Sequence, residues 1–451
     1  MTIGEAAPNF WSEVRRLLQL AGPIVMGQLA LMTMGVVDMI IAGRLGAEPM
    51  AGVALGHVWS FAMVILGLGA CMGLDPLIAQ AHGAGAADAR GRATAHGVGF
   101  LTVLAVPITL WHALGERGLG ALGQPVELLG MAGDYAAVLG WSVWPMLMFS
   151  LVRQGLQAQG RMTPAMWVLL AGNVVNLAAD VVLVWGAGPV PAMGAAGLAW
   201  STTIVRVLML AALAWWGRDL VQEVLDHRLA VWDGAGIIRV GRVALPVGGQ
   251  TALEVWAFNA STILVGYWGA EAIAAHTAAL NLCALSFMVP MGLGSAVSAR
   301  VGNLVGAGQD WARSAWAGVA LAAGFMCATA AMYTSVPAHL ARIYLPSEPA
   351  AVALTASLLP IAGAFQVFDG VQVTTFGALR GAGDTQWPAL ANVLGYWCIG
   401  LPVGAWLAHT GGWGPRGIWV GLAIALAVVA GALLFRLQHR VRRGAIDRRT
   451  S

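Results

Sequence analysis

The sequence predicts an all-α polytopic membrane protein of twelve transmembrane helices, arranged as two pseudo-symmetric lobes of six. Composition is the first reason. The chain is 59% hydrophobic and 10% charged with a mean hydropathy of +0.75, whereas soluble domains carry about 25% charged residues. The second is length: apolar segments centred near residues 30, 62, 103, 140, 175, 205, 254, 285, 325, 363, 398 and 428 are each long enough for a bilayer crossing, which takes roughly 20 helical residues. The third is an internal repeat without gaps, residues 23–90 on residues 246–313. Pro23 falls on Pro246, Gly43 on Gly266, Gly46-Ala47-Glu48 on Gly269-Ala270-Glu271, Ala51 on Ala274, and Gly83-Ala84-Gly85 on Gly306-Ala307-Gly308. Matches cluster at a helix breaker, at the turn joining two segments and at the Gly-rich exit, where backbone geometry selects the residue.

Segment 1 follows Arg15-Arg16 and lacks the short apolar core and cleavage site of a signal peptide, so it reads as an uncleaved span with its start in the cytoplasm. All 24 basic residues are Arg, and the positive-inside rule applies to them directly. Arg44, Arg117, Arg342 and Arg416 fall in outer loops, Arg206 lies within segment 6, and the rest face the cytoplasm, including Arg436, Arg440, Arg442, Arg443, Arg448 and Arg449. Both termini are therefore cytoplasmic and the number of crossings even. The longest polar stretch, from about Gly217 to Arg242, separates six spans from six. The expected organisation is an N-lobe at 1–216, a cytoplasmic linker at 217–242, a C-lobe at 243–438 and a basic tail at 439–451. An even number of crossings per half makes the repeat parallel, with its axis along the membrane normal, an arrangement that points to a transporter. Later echoes are Gln159-Gly160 with Arg380-Gly381, then Pro164 with Pro388, and Gly194-Ala195-Ala196-Gly197 with Gly414-Pro415-Arg416-Gly417. Pro23, Pro145, Pro246, Pro290 and Pro360 lie inside spans and leave carbonyls unpaired, which provides bends.

Several chemistries are excluded. Cys71, Cys283, Cys327 and Cys398 are scattered without close ligand spacing, and no two His stand at metal-ligand spacing within a span. No G-x-x-x-x-G-K-[ST] loop occurs, so ATP bound by this chain is not the energy source. No cofactor and no nucleic-acid partner are expected, because the net charge of +3 is accounted for by topology.

Four carboxylates sit in apolar segments: Asp38, Asp180, Glu254 and Asp369. An acid at the bilayer centre costs about 2.5–3.5 kcal/mol, so such residues face a cavity, titrate or bind a cation. The repeat places Ser261 opposite Asp38 and Leu31 opposite Glu254. Each lobe thus has its own polar site. In the N-lobe, Asn173, Asn176 and Asp180 are spaced for one helical face, and Thr202 adds a hydroxyl. This oxygen-rich set suits Na⁺, or a carboxylate pair sharing a proton. In the C-lobe, Gln250 shares a face with Glu254, and Asp369 comes from a distant segment. An anionic interior favours a cationic substrate. Met34, Met148, Phe149 and Trp256 are candidates for an adaptable apolar cavity wall, with Met146, Trp141 and Trp144 as further members.

These residues also carry a family resemblance over nearly the whole chain. Ala21-Gly22-Pro23 through Val37-Asp38-Met39-Ile40-Ile41-Ala42-Gly43, then Gly46-Ala47, resembles the opening of multidrug and toxic compound extrusion (MATE) transporters. Gly73-Leu74-Asp75-Pro76 to Gln80-Ala81-His82-Gly83-Ala84-Gly85, Arg300-Val301-Gly302-Asn303 to Gly306-Ala307-Gly308, Phe368-Asp369-Gly370, and Ala378-Leu379-Arg380-Gly381 with Gly383-Asp384-Thr385 resemble their later signatures. The resemblance implies two six-helix lobes, a V-shaped cavity and export of amphipathic, mostly cationic organic compounds in exchange for Na⁺ or H⁺. Glu254 and Asp369 match the C-lobe site of the NorM-like branch. Asp38, Asn176, Asp180 and Thr202 match the N-lobe network of the DinF-like branch. The chain departs from NorM-like members in having Asp180 where they often have Asn, which leaves open the lobe that binds the ion.

The resulting expectation is a secondary antiporter, active as a monomer in the inner (plasma) membrane, working by alternating access with small organic cations and drugs as substrates and the lipid bilayer as its surroundings. A flippase for a lipid-linked or polyanionic precursor is the alternative on the same architecture, and it calls for Arg in the cavity. An intramembrane enzyme calls for a nucleophile and base at membrane depth, and the acids here have no His or Cys partner in the sequence pattern.

Overall fold

The computed structural model describes residues 9–450, with side chains from Asn9 to Arg443. The side chains of Arg448 and Arg449, counted above with the basic tail, lie outside the described residues.

Long helices form where the apolar segments predict them. They are α1 Phe10–Leu45, α2 Ala47–Gly83, α3 Ala87–Ala113, α4 Val126–Gly140 continued as Val143–Ala158, α5 Thr163–Trp185, α6 Ala195–Trp216, α7 Gly234–Val265, α8 Ala270–Gly306, α9 Ala312–Ser335, α10 Pro349–Gly381, α11 Gln386–His409 and α12 Pro415–Thr450. Among the described residues, ten of these are long and apolar enough to cross a membrane, and α4 makes an eleventh if its two parts are one span. The remaining helix, α7, is 32 residues long. Its Gln250, Thr251 and Glu254 lower its hydropathy without shortening it. The two parts of α4 meet at 44°, and Pro145 explains the break, since its ring crowds the carbonyl four residues earlier at Trp141.

The chain divides into two compact units, one formed by residues 26–252 and the other by the chain up to Val25 together with Leu253 onward. Both bounds fall inside helices, shortly after Pro23 in α1 and after Pro246 in α7. Each unit therefore contains the beginning of the other half's first helix. Within the 26–252 unit the start of α7 lies against α2, so closely that a Cβ on Gly69 would sit 3.0 Å from the Gly248 Cα. Within the other unit the start of α1 lies against α8, and a Cβ on Gly292 would sit 3.0 Å from the Val25 nitrogen. Under the repeat Gly69 falls on Gly292 and Val25 on Gly248, so these are the same contact made twice.

Positive backbone φ angles follow the repeat as well: +124° at Gly46 and +90° at Gly269, and +68° at Gly85 and +67° at Gly308. Side chains with a Cβ are strained there. The same criterion corrects the later part of the repeat. Gly160, at φ +76°, corresponds to Gly383, at φ +82°, and not to Gly381. Arg161 N donates to Leu156 O as Asp384 N donates to Leu379 O. The original spacing thus persists to this point.

Candidate cation and substrate site

Within the 26–252 unit, α1, α5 and α6 bring together the N-terminal polar residues. Asp180 is fully buried, Asn176 is 1% exposed and Asp38 is 8% exposed. The hydroxyl of Thr202 donates to Asp38 Oδ2 at 3.2 Å. Beside it on α6, Ser201 accepts from Asn176 Nδ2 at 3.1 Å and donates to the Asn176 carbonyl at 3.2 Å, which locks α5 to α6. Asp38 and Asp180 are close enough to repel when both are charged. Asp38 Oδ1, both Asp180 oxygens and Asn176 Oδ1 are buried without a well-formed hydrogen bond, with the Ser201 hydroxyl in reach of Asp180. A buried polar atom left so costs about 1–3 kcal/mol. Every one of these atoms accepts and none donates, the donor set that a hard cation or a shared proton satisfies. Asn173 stands slightly apart, its Nδ2 donating to the carbonyls of Ala30 and Leu169.

Asp38 also lines a cavity of about 450 Å³ in the same unit. Its other walls are the α1 residues Met32, Gly35, Val36, Met39, Ile40 and Gly43, with Met50, His57 and Tyr135. The His57 ring stacks parallel to Phe61, 6.0 Å between centroids. Three Met side chains give a wall that adapts to varied apolar shapes, while Asp38 supplies a carboxylate for a positive group. Arg206, one turn beyond Thr202 on α6, donates from Nη1 to the buried Ser142 hydroxyl at 2.6 Å. The four apolar residues singled out from sequence are placed elsewhere. Met34 and Phe149 pack in one buried cluster, Met148 in another, and Trp256 is half-buried on α7.

In the other unit, Glu254 is held by neutral donors. Asn392 Nδ2 donates to its Oε2 at 2.9 Å, and the Tyr396 hydroxyl donates to its Oε1 at 3.3 Å. Tyr396 is fully buried and lies on a π-helical stretch of α11, Leu394–Gly400. Such wide turns are frequent at functional sites. Asp369 on α10 is 5% exposed and within electrostatic range of Glu254. The structure brings Glu254 and Asp369 into one unit, whereas Gln250, a turn earlier on α7, belongs to residues 26–252. Among the described residues no group of three or more His, Cys, Asp or Glu is placed to hold a metal ion. The buried acids stand in pairs, beside amides and hydroxyls.

The family model MatE matches residues 23–182 and, a second time, residues 246–406. The chain belongs to the MATE family of membrane transporters. Its two matched stretches begin at Pro23 and Pro246, the positions where the internal repeat begins. The chain is 35% identical over 458 residues to a probable multidrug resistance protein NorM of Mesorhizobium japonicum, covering 97% of each protein. It is 33% identical to the multidrug resistance protein PmpM of Pseudomonas aeruginosa, covering 96% of this chain and 92% of that protein. The crystal structure of the eukaryotic MATE transporter AtDTX14 superimposes with a TM-score of 0.86 over 96% of this chain and 98% of that one. At 21% identity that likeness concerns the fold.

Several residues of this MATE chain's two sites carry no signal in its sequence. Ser201, Tyr135, Asn392 and Tyr396 are common polar residues in apolar segments, and what makes them functional candidates is their placement beside an acid, Ser201 by Asp180, Tyr135 in the cavity with Asp38, and Asn392 and Tyr396 bonded to Glu254. His57 has a fainter signal, a titratable residue at mid-segment in α2. Arg206 is conspicuous by its charge, yet its anchor, Ser142, is set by the break in α4.

Proposed function

We propose that the chain is a secondary-active multidrug efflux antiporter of the inner (plasma) membrane, with both termini and the 217–242 linker in the cytoplasm. It exports amphipathic, mostly cationic organic compounds in exchange for Na⁺ or H⁺ by alternating access. The carrying observation is the double membership of Asp38. One of its oxygens accepts from Thr202 inside the acid cluster, and the residue also lines the Met-walled cavity. A single carboxylate that serves ion and substrate links the two. While Asp38 and Asp180 are negative they attract a cationic compound into the cavity. A cation arriving from outside neutralises the pair and removes that attraction. The ion gradient then drives release, with the membrane potential worth about 2.3 kcal/mol per charge per 100 mV. The Glu254–Asp369 pair adds a second anionic centre for the positive part of a substrate.

Competition tests this reading. Ethidium bound to the purified protein is expected to be displaced by Na⁺ or by lowered pH, with Asp38→Asn weakening ethidium and eliminating the displacement. Ethidium binding that ignores both cations in the wild type would remove the basis for exchange at Asp38.

A further inference from the structure

We propose that Arg206 is a fixed countercharge which sets the cation affinity of the Asp38–Asp180 pair, and so keeps that pair able to release its coupling ion. The inference rests on the reading that this pair binds the ion.

Arg206 is a positive charge well inside an apolar helix, where a guanidinium is costly to place and is kept for a role. Its position relative to the acids is determined by α6: Thr202, which donates to Asp38 Oδ2 at 3.2 Å, stands one turn away on the same face. The guanidinium does not close onto a carboxylate. It is tied instead to the hydroxyl of Ser142 at 2.6 Å, and Ser142 in turn donates to the Leu139 carbonyl at 2.7 Å. Ser142 is fully buried at the break of α4, so the charge is held by a neutral group on a bent helix. The groups within electrostatic range of it come from four helices: Asp38 on α1, His57 on α2, His112 on α3 and Tyr135 on α4. An Arg remains charged at any physiological pH.

The electrostatic consequence has a definite sign. Two carboxylates without a nearby positive charge, in surroundings of low dielectric, would hold a cation or a proton tightly and exchange it slowly. A permanent positive charge in range lowers that affinity, for Na⁺, for H⁺ and for a cationic substrate alike. Direct ion pairing would go further and occupy the acceptor oxygens; the Ser142 anchor keeps the charge within range of Asp38 while leaving Asp38 Oδ1 and both Asp180 oxygens without a well-formed hydrogen bond. Arg206 is thus a positioning residue that acts through the acids.

The experiment is ethidium displacement by Na⁺ and by H⁺ from purified full-length protein in nanodiscs, comparing wild type with Arg206→Gln and Arg206→Lys. With ethidium held well below its own dissociation constant, so that its tighter binding does not offset the effect, removing the charge is expected to lower the half-displacing cation concentration by roughly tenfold, the order expected for one charge at an effective dielectric constant near 20, with Arg206→Lys near wild type. A merely structural role would weaken binding or raise the half-displacing concentration. Unchanged displacement in Arg206→Gln, with Asp38→Asn abolishing it, overturns this inference and leaves the antiport reading standing. Displacement that persists in Asp38→Asn and is lost in Glu254→Gln overturns the reading beneath it.

Discussion

The two acid pairs of this chain solve opposite problems. Glu254 sits between two donors, an amide and a phenol, so that both its oxygens are occupied by neutral partners. Asp38 and Asp180 have hydroxyls beside them, Thr202 bonded to one and Ser201 within reach of the other, and three of their four oxygens are buried without a well-formed hydrogen bond. A carboxylate clamped by neutral donors is stabilised as it stands and is suited to receive the positive group of a substrate. A pair of adjacent carboxylates short of donors needs a cation or a proton to complete it. On the function proposed above, the difference suits the N-terminal pair to ion coupling and gives the C-terminal pair a share in holding the substrate's positive group, two roles that do not call for acids at equivalent positions of the repeat.

The comparison can be broken most directly at the N-terminal pair. Asp38→Asn with Asp180→Asn is expected to abolish exchange driven by an ion gradient, a loss of at least about a hundredfold, since each amide removes a charge at the proposed binding point. Next in size is Glu254→Gln with Asp369→Asn, which is expected to abolish drug resistance in cells at equal expression; wild-type resistance from that double variant would remove the C-terminal pair from the account. Tyr396→Phe deletes one donor to Glu254 and should shift the dissociation constant of ethidium by about two- to tenfold, from a hydrogen bond worth roughly 0.5–1.5 kcal/mol, with the cation dependence unmoved. If Tyr396→Phe instead changes the half-displacing Na⁺ or H⁺ concentration, the division of labour fails.

The smallest effect lies outside the membrane. His227 donates from Nδ1 to the Glu223 carbonyl and from Nε2 to Asp88, and these bonds raise its pKa above the ordinary 6.5. A raised folded value means that the contribution is fully present below about pH 6.5 and is lost as pH rises through the higher folded pKa. Hydrogen exchange in the linker segment 218–232, corrected for its intrinsic pH dependence, should therefore quicken modestly between pH 6 and pH 8.5. His227→Gln should flatten that trend. An unchanged trend in the variant would show that His227 does not secure the linker.

Much of the architecture was legible before the structure, for physical reasons. Apolar length dictates the helices, and the repeat survives at positions with hard geometric requirements, such as the positive φ of Gly46, Gly269, Gly85 and Gly308. The intramembrane acids announce themselves by their cost. The partners of those acids do not: Asn392 and Tyr396 lie 138 and 142 residues from Glu254 in the chain, and neither is expensive to bury once bonded. The lining of the cavity beside Asp38 was not legible for a related reason. Met32, Met39 and Met50 line the space beside Asp38, while Met34 turns into the packed interior at 7% exposure. A difference of two positions on α1 rotates a side chain by just over half a turn, and only packing tells which face is filled. The pairing of Gln159-Gly160 with Arg380-Gly381 was likewise misaligned because residue identity there is weaker evidence than backbone geometry.

The most direct test of the central claim is dye transport in proteoliposomes under an imposed Na⁺ or H⁺ gradient, measured at saturating ethidium for wild type, Asp38→Asn/Asp180→Asn and Glu254→Gln. The account predicts that wild type and Glu254→Gln respond to one of the two gradients, whereas the N-terminal double variant binds dye weakly and responds to neither. A gradient response retained by the N-terminal variant and lost in Glu254→Gln would contradict it and move the coupling ion to the other unit.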